Sequence, residues 1–351
     1  MTKLVNLLSW RNWGIVRYNS IWQNLAGLFY IALAGRLFSP DWIGRVGLFV
    51  LFSTCMTAYG YLVNDLADME LDRLHGKPNA LGGMSRSRAT LVTLATLLLG
   101  AACASPFVSR PWFALPWLLW ILMATAYSLR PLRLKERGLA GLMATIAAQQ
   151  TLPTILLFAA FGGLASWGAL VFILYSTARG ISSDVGHQMR DWARDANTGT
   201  GTFAVRHGYS TIQRLYAVSL EAERLALGGV VLLLLWGLPP ARGPVSPALP
   251  SALLYVPLYT ATAGRSWRAL RQNRLEADDP YDEARQSRRY DSLQIIHHTL
   301  PSVLIPTYLA VWLTVVYWPN VIFVFVLGLL YGPFFVRRWT SRKLPARWVQ
   351  R

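Results

Sequence analysis

Cysteine and acid are scarce in this sequence. The two cysteines, Cys55 and Cys103, both lie inside apolar segments, which excludes a disulfide framework and leaves them as small buried hydrophobes. Asp and Glu number 17 against 34 Lys and Arg, a formal net charge of +17, and charged residues of all kinds make up only 15% of the chain. A soluble protein this basic would point to nucleic acid. The apolar residues, 54% of the chain, point elsewhere. There is no low-complexity tract. Residues 1–19 are polar and basic, without the pattern of a cleavable signal peptide, so the first apolar run reads as a true span.

Ten segments reach, or nearly reach, the roughly 20 apolar residues needed to cross a bilayer. They fall near 20–37, 43–63, 88–106, 112–128, 139–161, 164–183, 214–238, 250–265, 294–317 and 319–337. The eighth is short and extends toward the basic stretch that follows it. With a cytoplasmic amino terminus, roughly 28 Lys and Arg fall on the cytoplasmic side, the positive-inside pattern. The opposite side holds Arg36, Arg45, Arg110 and Arg242. The excess charge therefore reads as topology and contact with anionic lipid, with no nucleic-acid partner. The expectation is an all-α polytopic membrane protein, a single domain over 1–351, with both termini cytoplasmic. A bacterial inner membrane is the simplest setting.

Against this background the few acids are concentrated. One group, Asn64-Asp65-Leu66-Ala67-Asp68-Met69-Glu70-Leu71-Asp72, follows the second apolar run; another, between Asp184 and Asp195, follows the sixth. Carboxylates at a membrane boundary are costly to desolvate, so two such groups mark a functional site. Asn64, Asp68 and Asp72 recur at four-residue intervals, and Asp65 falls within reach of the same helix face. Three carboxylates on one face repel unless a cation neutralises them. No Cys or His stands at ligand spacing within the group and no EF-hand loop pattern occurs, so zinc and an EF-hand site are excluded. Oxygen donors on a helix suit Mg2+ shared with a phosphate. Asp184, His187, Gln188, Asp191 and Asp195 form a second polar stripe, ended by Asn197, Gly199 and Gly201. Each group alone also reads as a solvated helix end.

Cations stand on the same predicted side. The loop Tyr127-Ser128-Leu129-Arg130-Pro131-Leu132-Arg133-Leu134-Lys135-Glu136-Arg137-Gly138 supplies several, and Arg73, Lys77, Arg190 and Arg194 are interleaved with the acids. A diphosphate needs both metal and cationic donors. Tyr127, Arg130, Lys135, Arg73, Lys77 and Arg190 are the candidates to hold one. Positive-inside anchoring is the competing reading of the loop.

The order and spacing of these motifs over about residues 20–315 resemble the UbiA superfamily of intramembrane prenyltransferases. The N-x-x-x-D-x-x-x-D pattern falls on Asn64, Asp68 and Asp72, the D-x-x-x-D pattern on Asp191 and Asp195, and Gly199, Thr202 and Gly208 continue it. Tyr127 to Gly138 is similar to the segment after the family's fourth helix. The resemblance implies a ring of nine transmembrane helices around a central cavity, about 20–317, with an additional helix at 319–337 and a basic cytoplasmic tail at 338–351. It implies two Mg2+ ions held by Asn64, Asp65, Asp68, Asp72, Asp184, Asp191 and Asp195, bridged by a polyprenyl diphosphate donor. Asp68, Asp72, Asp191 and Asp195 would be the catalytic carboxylates. Ionisation of the donor gives an allylic cation that a lipophilic or membrane-accessible acceptor attacks. Phosphoribosyl transfer to a polyprenyl phosphate and membrane terpene cyclisation are alternatives within the superfamily, and transport is an alternative of another class.

Two departures stand out. Where many members carry an R-P-x-x-S-G-like stretch, this chain has Asn79-Ala80-Leu81-Gly82-Gly83-Met84, without the usual Arg; Lys77, Arg73 or Arg86 are the substitutes available. His187 and Gln188 lie outside the general motif and are candidates for acceptor or head-group recognition. Within the spans, Glu221 can pair with Arg224, His297 and His298 read as interfacial, and Gln149 and Gln150 read as cavity-lining.

Overall fold

The computed structural model describes residues 23–74, 76, 78–238, 249–277 and 292–341. Lys77, residues 1–22, the acidic stretch at 278–283 and the tail beyond 341 lie outside the described residues. The helices are α1 (Gln23–Ala34), α2 (Pro40–Leu74), α3 (Arg86–Ala104), α4 (Ala114–Ser128), α5 (Leu139–Ala160), α6 (Trp167–Asn197), α7 (Phe203–His207), α8 (Tyr209–Gly237), α9 (Leu249–Thr262), α10 (Arg265–Arg271), α11 (Ser292–Val316) and α12 (Val321–Ser341). Each apolar segment read from the sequence coincides with one of these. The eighth stops at Thr262, turns at Gly264 and resumes as the basic α10.

Helix α2, α3, α5 and α11 are long and apolar enough to cross a membrane; α1, α4 and the stretch Trp318–Tyr331 are apolar but shorter. Helices α6 and α8 are long, at 31 and 29 residues, but carry charge within their length. At 1.5 Å per residue the 35 residues of α2 reach about 52 Å, against a hydrocarbon core of about 30 Å. The polar end of α2 therefore projects beyond the membrane, and α6 does the same with its own. Exposed Trp112, Trp167, Trp236 and Trp318 stand at the opposite helix ends, where an interfacial aromatic belt belongs. Leu51, Leu91, Leu98, Leu118, Leu174 and Phe325 point outward, a lipid-facing surface around an integral membrane protein.

Inside, α1 is buried along most of its length and packs against α5 and α11. Phe49, Phe52, Phe107, Phe113 and Phe161 make a chain of edge and tilted ring contacts at 5.6–5.9 Å. Helix α2 packs chiefly on α3, and α6 on α8. Each acidic segment rests on its own small apolar cluster: Leu62, Leu81 and Ala89 under the first, and Val185, Met189, Ala204, Ile212 and Tyr216 under the second. Short loops are closed by side-chain caps, with Ser166 accepting from Ala169 N at 3.1 Å and Thr202 from Val205 N at 3.4 Å.

Candidate active site

The first acidic segment is the last three turns of α2. Asn64 and Asp68 turn toward the loop after α4. Ser128 Oγ donates to Asn64 Oδ1 at 3.0 Å and Lys135 Nζ donates to the same oxygen at 3.1 Å. Lys135 also pairs with Asp68 Oδ2, while Arg133 donates to Asp68 Oδ1 at 3.1 Å. Burial pushes the Lys135 ammonium below its ordinary pKa, against the pull of the Asp68 carboxylate. Asp72 receives Asn79 Nδ2 at 2.8 Å.

Asp65 departs from the expectation that it joins these ligands. It is fully buried, and its Oδ2 accepts from Ala80 N at 3.1 Å. Asn79 Nδ2 bonds its carbonyl at 2.8 Å, so Asp65 anchors the returning 79–81 loop. Arg73 also departs, lying exposed in an ion pair with Glu70 at 3.0 Å. Arg130 is exposed in its loop. Arg133, in the basic run but not singled out there, is the arginine that reaches the first segment, on Asp68. The family's missing arginine is replaced by an amide: Asn79 ties the loop to Asp72 rather than offering a cation.

The second segment is the last part of α6. Asp184 is buried and accepts from Gln188 Nε2 at 2.9 Å. Gln188 Oε1 accepts from Ala204 N at 3.1 Å, so this amide joins Asp184 to the start of α7 and is spent on structure. Asp191 accepts from Arg194 at 2.5 Å and stands 3.5 Å from His187 Nε2. Arg190 reaches His187 Nδ1 at 3.4 Å, and Arg194 stands 3.9 Å from Asp195.

A cavity of about 210 Å³ joins the two segments. Asn64 comes from the first, and Asp184 and His187 from the second. Tyr61, Tyr127, Thr145 and Gln149 add polar groups, and Trp120, Ala124, Ala148 and Pro153 supply apolar wall. Gln149 sits in a π-helical turn of α5, Ala147–Thr151, which widens the helix toward the cavity. Gln150 faces the other way, into a small cavity with Tyr175 and Arg179.

Asn64, Asp68, Asp72, Asp184, Asp191 and Asp195 offer oxygen donors only, the set Mg2+ prefers. Among the described residues no three acidic, histidine or cysteine side chains converge to enclose a metal. Mg2+ held by one or two carboxylates and completed by water and phosphate oxygens needs no such enclosure, so these residues fit it.

A separate polar network lies deeper. Arg179 of α6 pairs with Glu223 of α8 at 2.9 Å, bonds the His297 carbonyl and stands 3.2 Å from His298 Nδ1. Ser182 donates to Glu223, and His297 Nδ1 lies 3.2 Å from it. The histidines expected at the interface thus belong to the interior, while Arg224 pairs with Glu221 as its spacing predicts. Arg179 carries no signal in the sequence beyond a lone charge in an apolar run.

Apolar helices of membrane-spanning length, with Asn64 of one acidic helix end and Asp184 and His187 of another meeting at one cavity, define a helical integral membrane protein. The chain belongs to the UbiA prenyltransferase family, whose model matches residues 21–279. It is 28% identical over 214 residues to the bacteriochlorophyll synthase 34 kDa chain of Chloroflexus aurantiacus, spanning 59% of this chain and 66% of that protein. Among solved structures, a UbiA homologue from Archaeoglobus fulgidus bound to GPP and Mg2+ matches with a TM-score of 0.57 at 16% identity, over 86% of this chain and 98% of that one. The same homologue bound to DMAPP and Mg2+ matches at 0.56 and 17% identity, over 86% and 98%. At these identities the likeness establishes the fold.

Proposed function

We propose that this chain is a Mg2+-dependent intramembrane prenyltransferase, moving a polyprenyl group from its diphosphate to a membrane-accessible acceptor. The observation that carries the reading is a cavity that takes Asn64 from the first acidic segment, Asp184 and His187 from the second, and an apolar face from the helices between them. Structural neighbours bound to GPP or DMAPP with Mg2+ support it. Mg2+, two ions in this reading, would be held by Asn64, Asp68 and Asp72 on one side and Asp184, Asp191 and Asp195 on the other, and would offset charge on the leaving diphosphate. Lys135 and Arg133 would donate to its remaining oxygens, with Tyr127 and Arg190 at the cavity edge. As the carbon–oxygen bond ionises, Trp120, Ala124 and Pro153 exclude water from the allylic cation, leaving the acceptor to capture it. His187, exposed at the cavity, is the residue we assign to the acceptor or its head group. The acidic ends face the cytoplasm in this reading, in a bacterial inner membrane.

The test is diphosphate release by the purified chain in lipid, offered a panel of prenyl diphosphates and phosphoribosyl diphosphate with and without Mg2+. We expect Mg2+-dependent turnover of a prenyl donor, abolished by Asp68→Ala or Asp191→Ala with folding retained. Full activity in either variant refutes the reading, and turnover of phosphoribosyl diphosphate alone replaces it with phosphoribosyl transfer.

A further inference from the structure

The cationic loop and the second acidic segment come from distant parts of the chain, yet they are tied together beside the site. Gly138 N donates to Gly201 O at 3.2 Å, next to a parallel bridge between Gly138 and Thr202. Arg206 of α7 lies across this joint, its Nε donating to Gly201 O at 3.0 Å and a terminal nitrogen to Glu136 O at 2.9 Å. The crossing is tight on both sides. At Gly138, where φ is +57°, a Cβ would stand 2.9 Å from Arg206 Cδ; at Gly201 one would stand 3.0 Å from Glu136 O.

Hydrogen bonds lead from the joint to acids on either side. Glu136 accepts from Arg133 Nε at 2.5 Å, and Arg133 with Lys135 holds Asp68. In the other direction Ala204 N donates to Gln188, and Gln188 donates to Asp184. A strap of hydrogen bonds and short stretches of main chain thus runs from Asp68 to Asp184, and neither Arg206 nor either glycine lines the cavity.

We propose that Arg206 is a positioning residue that holds the cationic loop at a fixed separation from the second acidic segment, and so sets the width of the diphosphate site. The proposal rests on the prenyltransferase reading for what occupies that site. A planar guanidinium serves two carbonyls in one geometry; a lysine ammonium on a flexible stem does not.

The test uses the full chain in lipid or detergent, as wild type, Arg206→Ala, Arg206→Lys and Gly138→Ala. Three quantities are read: hydrogen exchange of segments 130–138 and 198–206, calorimetric affinity for inorganic diphosphate with Mg2+, and donor turnover. We expect faster exchange in both segments in Arg206→Ala, diphosphate affinity about tenfold weaker, and donor turnover lowered as well, because the loosened loop carries Lys135 and Arg133. Arg206→Lys should recover part of the affinity, and Gly138→Ala should reproduce the exchange change. Unchanged exchange in Arg206→Ala overturns the strap, and faster exchange with unchanged affinity overturns the positioning role. A wild-type chain that binds diphosphate but turns over no donor sinks the prenyltransferase reading instead, while exchange and affinity still decide the role of Arg206.

Discussion

Lys135 separates a structural ion pair from a catalytic cation. In the structure it bonds Asp68 and Asn64, with Lys135 and Asp68 only 16% and 14% exposed. Consider Lys135→Met, which keeps the apolar stem and removes the charge. Asp68 retains Arg133 at 3.1 Å, so it is not left without a counter-ion. The stability cost should then lie between those of exposed and buried pairs, about 1–3 kcal/mol. If Lys135 moves onto the leaving diphosphate, the catalytic cost is of another order. Loss of one preorganised donor at a developing charge lowers turnover by about 10²–10³-fold. The assay is kcat/KM for prenyl diphosphate in lipid, with thermal unfolding in the same preparation. Lys135→Arg should fall between, since it restores charge with a different shape. A fall in kcat/KM of less than about fivefold, with the loss of stability present, would show that Lys135 only balances Asp68, and the proposed role of the loop would fail.

Asn79→Asp replaces a donating amide with a carboxylate 2.8 Å from Asp72, beside the Asp65 carbonyl. The repulsion should lower the unfolding midpoint, by about 1–3 kcal/mol of stability at this partly buried position; an unchanged midpoint would contradict the anchoring role. Glu223→Ala should be far more damaging, about 3–5 kcal/mol, because Arg179 is left buried without its carboxylate. Combining it with Arg179→Met should return much of that loss, read as the folded fraction after heating, and simple addition of two losses would argue against the pairing.

The elements were legible in the sequence because they are local. Helix α2 runs unbroken through Asn64, Asp68 and Asp72 since no glycine or proline follows Gly60 until Gly76 and Pro78, and α6 runs through Asp195 until Asn197 and Gly199. What was not legible depends on residues distant along the chain. Asp65 shares its helix face with Asp68 by spacing, but the 79–81 loop folds back and takes its carboxylate. Gln188 looked like a recognition residue until α7 placed the Ala204 amide against it. Arg179, Glu223 and His297 are more than 40 residues apart in succession, so none of them announces the others.

The same contrast explains how a site this acidic persists at a membrane edge. Bringing a carboxylate out of water costs several kcal/mol unless a cation or donor replaces the lost hydration. Here the carboxylates of the two segments already have such partners: Asp68 has Lys135 and Arg133, Asp72 has Asn79, Asp184 has Gln188 and Asp191 has Arg194. Under the proposed function, binding a diphosphate with Mg2+ would be an exchange of partners, in which carboxylates pass to metal and cations pass to phosphate. An exchange needs no bare charge at any stage, and it requires the two sets of partners to lie close together before donor arrives. The strap from Asp68 to Asp184 supplies that proximity, with the Lys135 loop seated where both sets can be reached. On this argument Lys135→Met weakens the exchange far more than it weakens the fold.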